Sequence, residues 1–227
     1  MSEIDPYDEL RQQMTKAEAR FASEVDGATM TVVRDDGVHR HLSFQFPKAS
    51  WQQCEVVTWP GVLTLRGGLG CWSFSHVEDM FEFFRPNRKV ARVDPAYWGQ
   101  KLVPGSGSEV KGYSADRARA YVRQAVAEAV ERHEHIRGED AEEWLWSEFA
   151  WADFDTEAAL MRTLGRFEGR VEVDRPVGDS LEEFTASEFH FPVRDWDLYR
   201  YSDWFLLSCV VLPWGVEQYD ALLVPAG

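Results

Sequence analysis

A chain of 227 residues that is 44% hydrophobic can bury one substantial core, and a single domain over 1–227 is the simplest expectation. A formal net charge of −15 opposes binding to nucleic acid phosphates and anionic membranes, so specific binding of duplex DNA is not expected. Cys54, Cys71 and Cys209 are odd in number and lack C-x-x-C spacing, which fits reduced thiols in a cytoplasm rather than a disulfide framework.

The amino end, from Met1 to Pro6, has no basic stretch followed by an apolar run, so no signal peptide is expected. From about Tyr7 to Val25, Leu10, Met14, Ala17 and Phe21 recur at helical spacing, and Asp26-Gly27 ends the helix. Thr29 to Arg34 then reads as a strand, Asp35-Asp36-Gly37 as a turn and Val38 to Phe46 as a second strand. In that second strand Val38, Leu42, Phe44 and Phe46 alternate with His39, His41, Ser43 and Gln45, while Arg40 interrupts the apolar face. Cys54 to Trp59, Val62 to Arg66 and Cys71 to Phe74 complete a meander of about five short antiparallel strands. Ser75-His76-Val77-Glu78 has the form of a capping box. The helix it would start carries Met80, Phe81, Phe83 and Phe84 toward the sheet, and Pro86 would stop it.

A short helix is expected at Pro95 to Leu102, and Pro104-Gly105-Ser106-Gly107-Ser108 is the one flexible stretch. Ser114 should cap a long helix through about Ile136. Further helices are expected at Glu139 to Phe149 and, capped by Asp155, at Thr156 to Leu164, with a strand over Phe167 to Val173. The longest apolar run, Trp204 to Val216, is interrupted by Ser208, Pro213 and Gly215 and is too short to span a bilayer. It fits a buried last helix from Leu198 to Leu222, kinked near Pro213. The fold class expected is therefore α+β: a small antiparallel meander, about 28–85, with several helices packed on it, mainly from 114–222.

Several segments carry a resemblance: Trp59-Pro60-Gly61, Asp79-Met80-Phe81-Glu82-Phe83-Phe84-Arg85, Asp94-Pro95-Ala96-Tyr97-Trp98-Gly99-Gln100-Lys101-Leu102, Trp196-Asp197-Leu198 and Pro213-Trp214-Gly215-Val216-Glu217-Gln218-Tyr219-Asp220. Together they resemble a family of uncharacterised proteins of tailed bacteriophages and prophages. The likeness runs over roughly the whole chain and is weakest in its acidic middle. It implies a phage or prophage setting and no particular activity. Accessory proteins of that setting act on host proteins or host defence, so a host or phage protein is the partner this resemblance implies.

Motifs of catalysis are sparse. Gly67-Gly68-Leu69-Gly70 is followed by strand-like residues instead of a helix, so a hairpin turn explains it better than a phosphate loop. His39 and His41 share one strand face, but a zinc site needs three or four ligands and no further ligand stands at diagnostic spacing; no metal or cofactor is expected. His133 and His135 are two apart on a helix and point apart. Neither Gly-x-Ser-x-Gly nor a recognisable Cys–His pair occurs.

Charge is segregated along the chain. Between residues 85 and 123, Arg85, Arg88, Lys89, Arg92, Lys101, Lys111, Arg117, Arg119 and Arg123 stand against Asp94, Glu109 and Asp116. Residues 139–157 are acidic and hold no Lys or Arg. Arg85, Arg88, Lys89, Tyr97, Trp98 and Lys101 are the candidate binding residues, since cations beside large aromatics can grip an anionic group and anchor an interface. The competing account is internal pairing of these cations with the acidic segments. The leading functional expectation is a non-catalytic accessory protein that binds a host protein. The alternatives are a nucleotide or oligonucleotide binder using segment 85–113, an acidic DNA mimic, and an enzyme of unrecognised type.

Overall fold

The computed structural model describes residues 6–85, 93–106, 109–132, 146, 149, 152–166, 169–173, 180–184 and 191–223. The fold is α+β, and the chain divides into two compact units, residues 2–110 with 201–227, and residues 111–200.

The first unit begins with α1 (Pro6–Glu24), whose buried face is Met14, Ala17 and Phe21. Five strands follow: β1 (Thr29–Asp36), β2 (His39–Gln45), β3 (Gln53–Trp59), β4 (Val62–Gly67) and β5 (Gly70–Ser75). They pair antiparallel in chain order, as the alternating pattern and short turns predict. Leu42, Phe44, Val56, Leu63, Leu65, Trp72 and Phe74 form the buried face. Arg40 shares that face, as the third inward position of β2 beside Leu42 and Phe44. Phe21, Phe44 and Phe46 surround Trp214, with ring centroids 5.4 to 5.6 Å away.

The glycine-rich turn is a hairpin: Gly67 stands opposite Gly70 between β4 and β5. Gly67 has φ +132°, a conformation that side chains rarely adopt, and a Cβ on Gly68 would overlap the backbone of Trp51. The turn lies against the chain before β3, with the Gly68 amide donating to Gln53 O at 3.0 Å. Leu69 is fully buried, and its carbonyl accepts from Trp72 Nε1 at 2.9 Å. Gly68→Ala is expected to lower stability by about 1–3 kcal/mol, because the methyl meets backbone that cannot step aside. Urea unfolding checks this; an unchanged midpoint would mean that the turn relaxes freely.

The capping box expected at Ser75 does not form. Pairing of β4 with β5 extends to Val62–Ser75, which holds Ser75 in strand geometry, and its amide donates to Lys101 O at 2.8 Å. The following helix, α2 (Met80–Phe84), is capped by Asp79, whose carboxylate accepts from Phe81 N at 3.0 Å. Met80, Phe81 and Phe84 are buried in the core, as their shared helical face predicts. Described residues of this helix end before Pro86, with the Arg85 amide donating to Phe81 O. A second short helix, α3 (Pro95–Gly99), is capped by Asp94.

The second unit contains β6 (Lys111–Tyr113), α4 (Ala115–Arg132), α5 (Glu157–Leu164) and the hairpin of β7 (Gly169–Val173) with β8 (Ser180–Phe184); β9 (Tyr199–Tyr201), which pairs with β6, begins in it and ends at Tyr201, the first residue after it. Ser114 caps α4 as expected, its Oγ accepting from Arg117 N at 3.3 Å. Ala118, Val122, Val126 and Ala129 make the buried stripe of α4, facing a core with Phe149, Phe154, Leu160 and Leu164. The cap of α5 is Thr156 and not Asp155: the Thr156 hydroxyl accepts from Ala159 N at 3.1 Å. The helix expected over 139–149 lies outside the described residues apart from 146 and 149.

The last helix, α6 (Asp203–Leu223), belongs to the first unit. It starts later than Leu198 because residues 199–201 are taken up as strand β9. Phe205, Leu206, Leu207, Cys209, Val211, Leu212 and Val216 are buried, so this helix is apolar nearly all round. Gly215 lets it approach the sheet: a Cβ there would stand 3.0 Å from the Phe44 ring. Cys54, Cys71 and Cys209 are all free thiols, and burial pushes that of Cys54 up to about 12 and that of Cys209 well above its ordinary value. No helix among the described residues is long and apolar enough to cross a membrane.

Candidate functional site

Segments 79–85 and 213–220 meet in the first unit, where their polar residues bond to one another and to Arg40 and Asp35. Arg40 donates to both oxygens of Asp79, at 2.8 and 3.0 Å, and from Nε to the Tyr219 hydroxyl at 3.3 Å. Tyr219 donates to Asp35 at 2.8 Å. The guanidinium lies 4.6 Å from the Phe81 ring centre and 5.4 Å from that of Tyr219. Burial works against the Asp79 anion, but the Arg40 bond, the Phe81 amide and the charges of Arg40 and Arg85 outweigh it and lower its pKa. Arg85 makes a second fork, donating to Asp220 at 2.8 and 2.9 Å. Asp79, Phe81, Arg85, Tyr219 and Asp220, with Arg40, thus join α2 to α6. These bonds are made within the chain and hold the fold together.

The candidate binding residues separate into groups. Arg85 is engaged by Asp220, and Arg88 and Lys89 lie outside the described residues. Trp98 is buried, its ring 4.8 Å from Phe84 and 5.8 Å from Phe83, so it supports the surface from beneath. Tyr97 is 39% exposed. One helical step separates the two rings, and about 100° of rotation sends one inward and the other out.

Tyr97 is held by several contacts at once. Its backbone amide donates to the Asp94 cap at 3.0 Å, and its hydroxyl lies 3.2 Å from His76 Nε2. Its ring stands 6.1 Å from His76 and 5.9 Å from Phe83. The Lys101 ammonium lies 4.7 Å from the ring centre. Backbone bonds fix the segment bearing Lys101: Lys101 O accepts from Ser75 N, and Val103 N donates to Ser73 O at 2.8 Å. Residues 101–103 therefore run along β5, with a bridge between Phe74 and Leu102. The outcome is a preformed surface of His76, Phe83, Tyr97 and Lys101, aromatic in the middle and cationic at one side.

Sequence reasoning reached Tyr97 and Lys101 and missed His76 and Phe83. Reading Ser75 as a helix cap placed His76 in a helical turn. Taking Asp79 as the cap instead would have left 75–78 as a surface connection.

Arg92 lies outside the described residues, and Arg117, Arg119 and Arg123 serve the second unit. Arg117 bonds the Asp197 carboxylate at 2.8 Å and the carbonyls of Asp197 and Tyr199 at 2.8 and 2.7 Å. Arg119 pairs with Asp116 and lies over Phe154, and Arg123 lies 4.4 Å from the Trp146 ring centre. His39 and His41 lie on the outer face of β2, and His41 Nε2 is 3.6 Å from Glu55. Among the described residues no group of three or more His, Cys, Asp or Glu is arranged to hold a metal ion. His133 and His135 lie outside them. No family model, curated protein or solved structure matches the chain.

Proposed function

We propose that the protein is a non-catalytic binding protein that docks another protein on the His76–Phe83–Tyr97–Lys101 surface. The observation that carries this reading is the exposed Tyr97 ring held in place by His76, Phe83 and Lys101. A rigid exposed aromatic loses little freedom on binding, which is why Tyr recurs among the residues that dominate interface energies. Lys101 adds selectivity for a partner that sets a carboxylate beside an apolar group. The resemblance to tailed-phage and prophage proteins supplies the partner class, a protein of the bacterial host, including one of host defence.

Capture from bacterial lysate with the intact protein, beside a Tyr97→Ala, Lys101→Glu variant, tests this. A partner retained by the parent is expected to be lost, each anchor contributing about 2 kcal/mol or more. Equal capture by both proteins would dispose of the surface. The same ring and ammonium also suit a nucleotide base and its phosphate. Nucleotide carried by the native protein, seen by mass spectrometry and lost in the same variant, would favour that second reading.

A further inference from the structure

The outer face of the five-stranded sheet holds a cavity of about 560 Å³, a volume within the range of small-molecule sites. Val33, Arg34, His39, His41, Val57 and Trp59 line it, and none of its lining residues is acidic. On a chain of net charge −15 that lining is a local exception, and it favours an anionic occupant.

A bulge in β1 puts Arg34 there. Val32 pairs with Leu42, but it is Arg34 and not Val33 that pairs with His41. Residues directly opposite share a sheet face, so the extra residue turns Arg34 outward beside His41. Without the bulge Arg34 would stand opposite Arg40 on the inner face. Asp35 takes that inward position instead, and it accepts from Tyr219. Asp36 holds only Nη2 of Arg34, at 3.0 Å, and both side chains are mostly exposed. So open a pair contributes little, and Arg34 keeps its Nε and Nη1 donors for a ligand. His39, exposed on the same outer face, adds an imidazole. Arg40 also reaches the cavity wall, but its guanidinium is held by Asp79 and Tyr219 on the inner side.

The rest of the lining is apolar. Val57 stands opposite His41, and Trp59, two residues further along β3, is 42% exposed. An open indole offers a flat ring a face to stack on. One part of the cavity thus suits an aromatic ring and another suits an anion.

We propose that this cavity binds a small planar aromatic anion, its ring against Trp59 and its charged group against Arg34 and His39. Nucleoside monophosphates and aromatic carboxylates share that chemistry. The cavity shares no residue with the Tyr97 surface, so neither reading depends on the other.

Adenosine monophosphate and benzoate, each added to the intact protein, are the probes. Each is compared with its ring alone, adenosine or benzyl alcohol, and with its anion alone, phosphate or acetate. Backbone amide resonances of residues 33–41 and 57–59 are expected to shift with at least one probe. Calorimetry is expected to show that probe held at least about tenfold more tightly than either of its halves. The tighter of the two probes identifies the source of the ligand. Trp59→Ala removes the stacking ring and Arg34→Gln removes the cation; each changes an exposed side chain and is expected to keep the parent's melting profile. Each is expected to weaken binding about tenfold, the order of one lost stacking contact or one lost charged hydrogen bond. No shift at these residues with either probe at millimolar concentration, a half bound as tightly as the whole, or parent-like binding by either variant would overturn the proposal.

Discussion

Asp79→Ala is expected to destabilise the protein by about 3–5 kcal/mol, the range for removing one partner of a buried ion pair. Arg40 is only 9% exposed and gives Asp79 two of its donors, so the variant leaves a guanidinium between Phe81 and Tyr219 with its main acceptor gone. The same change removes the cap of α2. Asp79→Asn separates the two effects, because an amide oxygen still accepts from the Phe81 amide while the charge is gone. Denaturant unfolding of both variants gives the split; parity with the parent would show the pair to be dispensable. The pH dependence follows in sign. The Asp79 pKa is lowered in the fold from its ordinary 3.8. Its contribution is therefore fully present above that ordinary value and is lost as pH falls through the lower, folded one. Acid unfolding of Asp79→Asn should lack this component. A variant that loses stability with acid as steeply as the parent would contradict the assignment.

Phe84→Ala is expected to cost about 3–5 kcal/mol as well, through lost burial and the cavity left behind. Phe84 is 1% exposed, and Phe74, Phe83 and Trp98 lie within 5.2 Å of it between ring centres. A denaturant melt measures this, and a loss below about 1 kcal/mol would place the ring outside the core. The effect should reach the surface too. Phe83, a member of the Tyr97 surface, and Trp98 beneath it both pack on Phe84, so partner capture by Phe84→Ala should weaken even at temperatures where the variant stays folded.

The meander was legible because side chains alternate between sheet faces, and Leu42, Phe44 and their neighbours keep period two between glycine turns. The α2 core face was legible for the matching reason, since Met80, Phe81 and Phe84 fall within one helical sector. Ser75 shows where local reading failed: its hydroxyl and Glu78 are a sound capping pattern, but strand pairing with Val62 claims its backbone first. The three-residue strands β6 and β9 carried no signal, because so short a run has no period to detect.

The surface was half legible. Tyr97 and Trp98 looked alike as neighbouring large aromatics, and only the direction of α3 against Phe84 decided that one anchors the core and the other faces outward. The cations also looked alike. Composition established a basic segment, but pairing depends on residues far along the chain: Asp220 for Arg85 and Asp197 for Arg117. Alternation and helical spacing are local, so the sequence alone determined the α+β class, the strand order and the apolar faces. Which charges neutralise one another and which aromatic stays exposed depend on contacts between distant segments, and those only the tertiary structure decided.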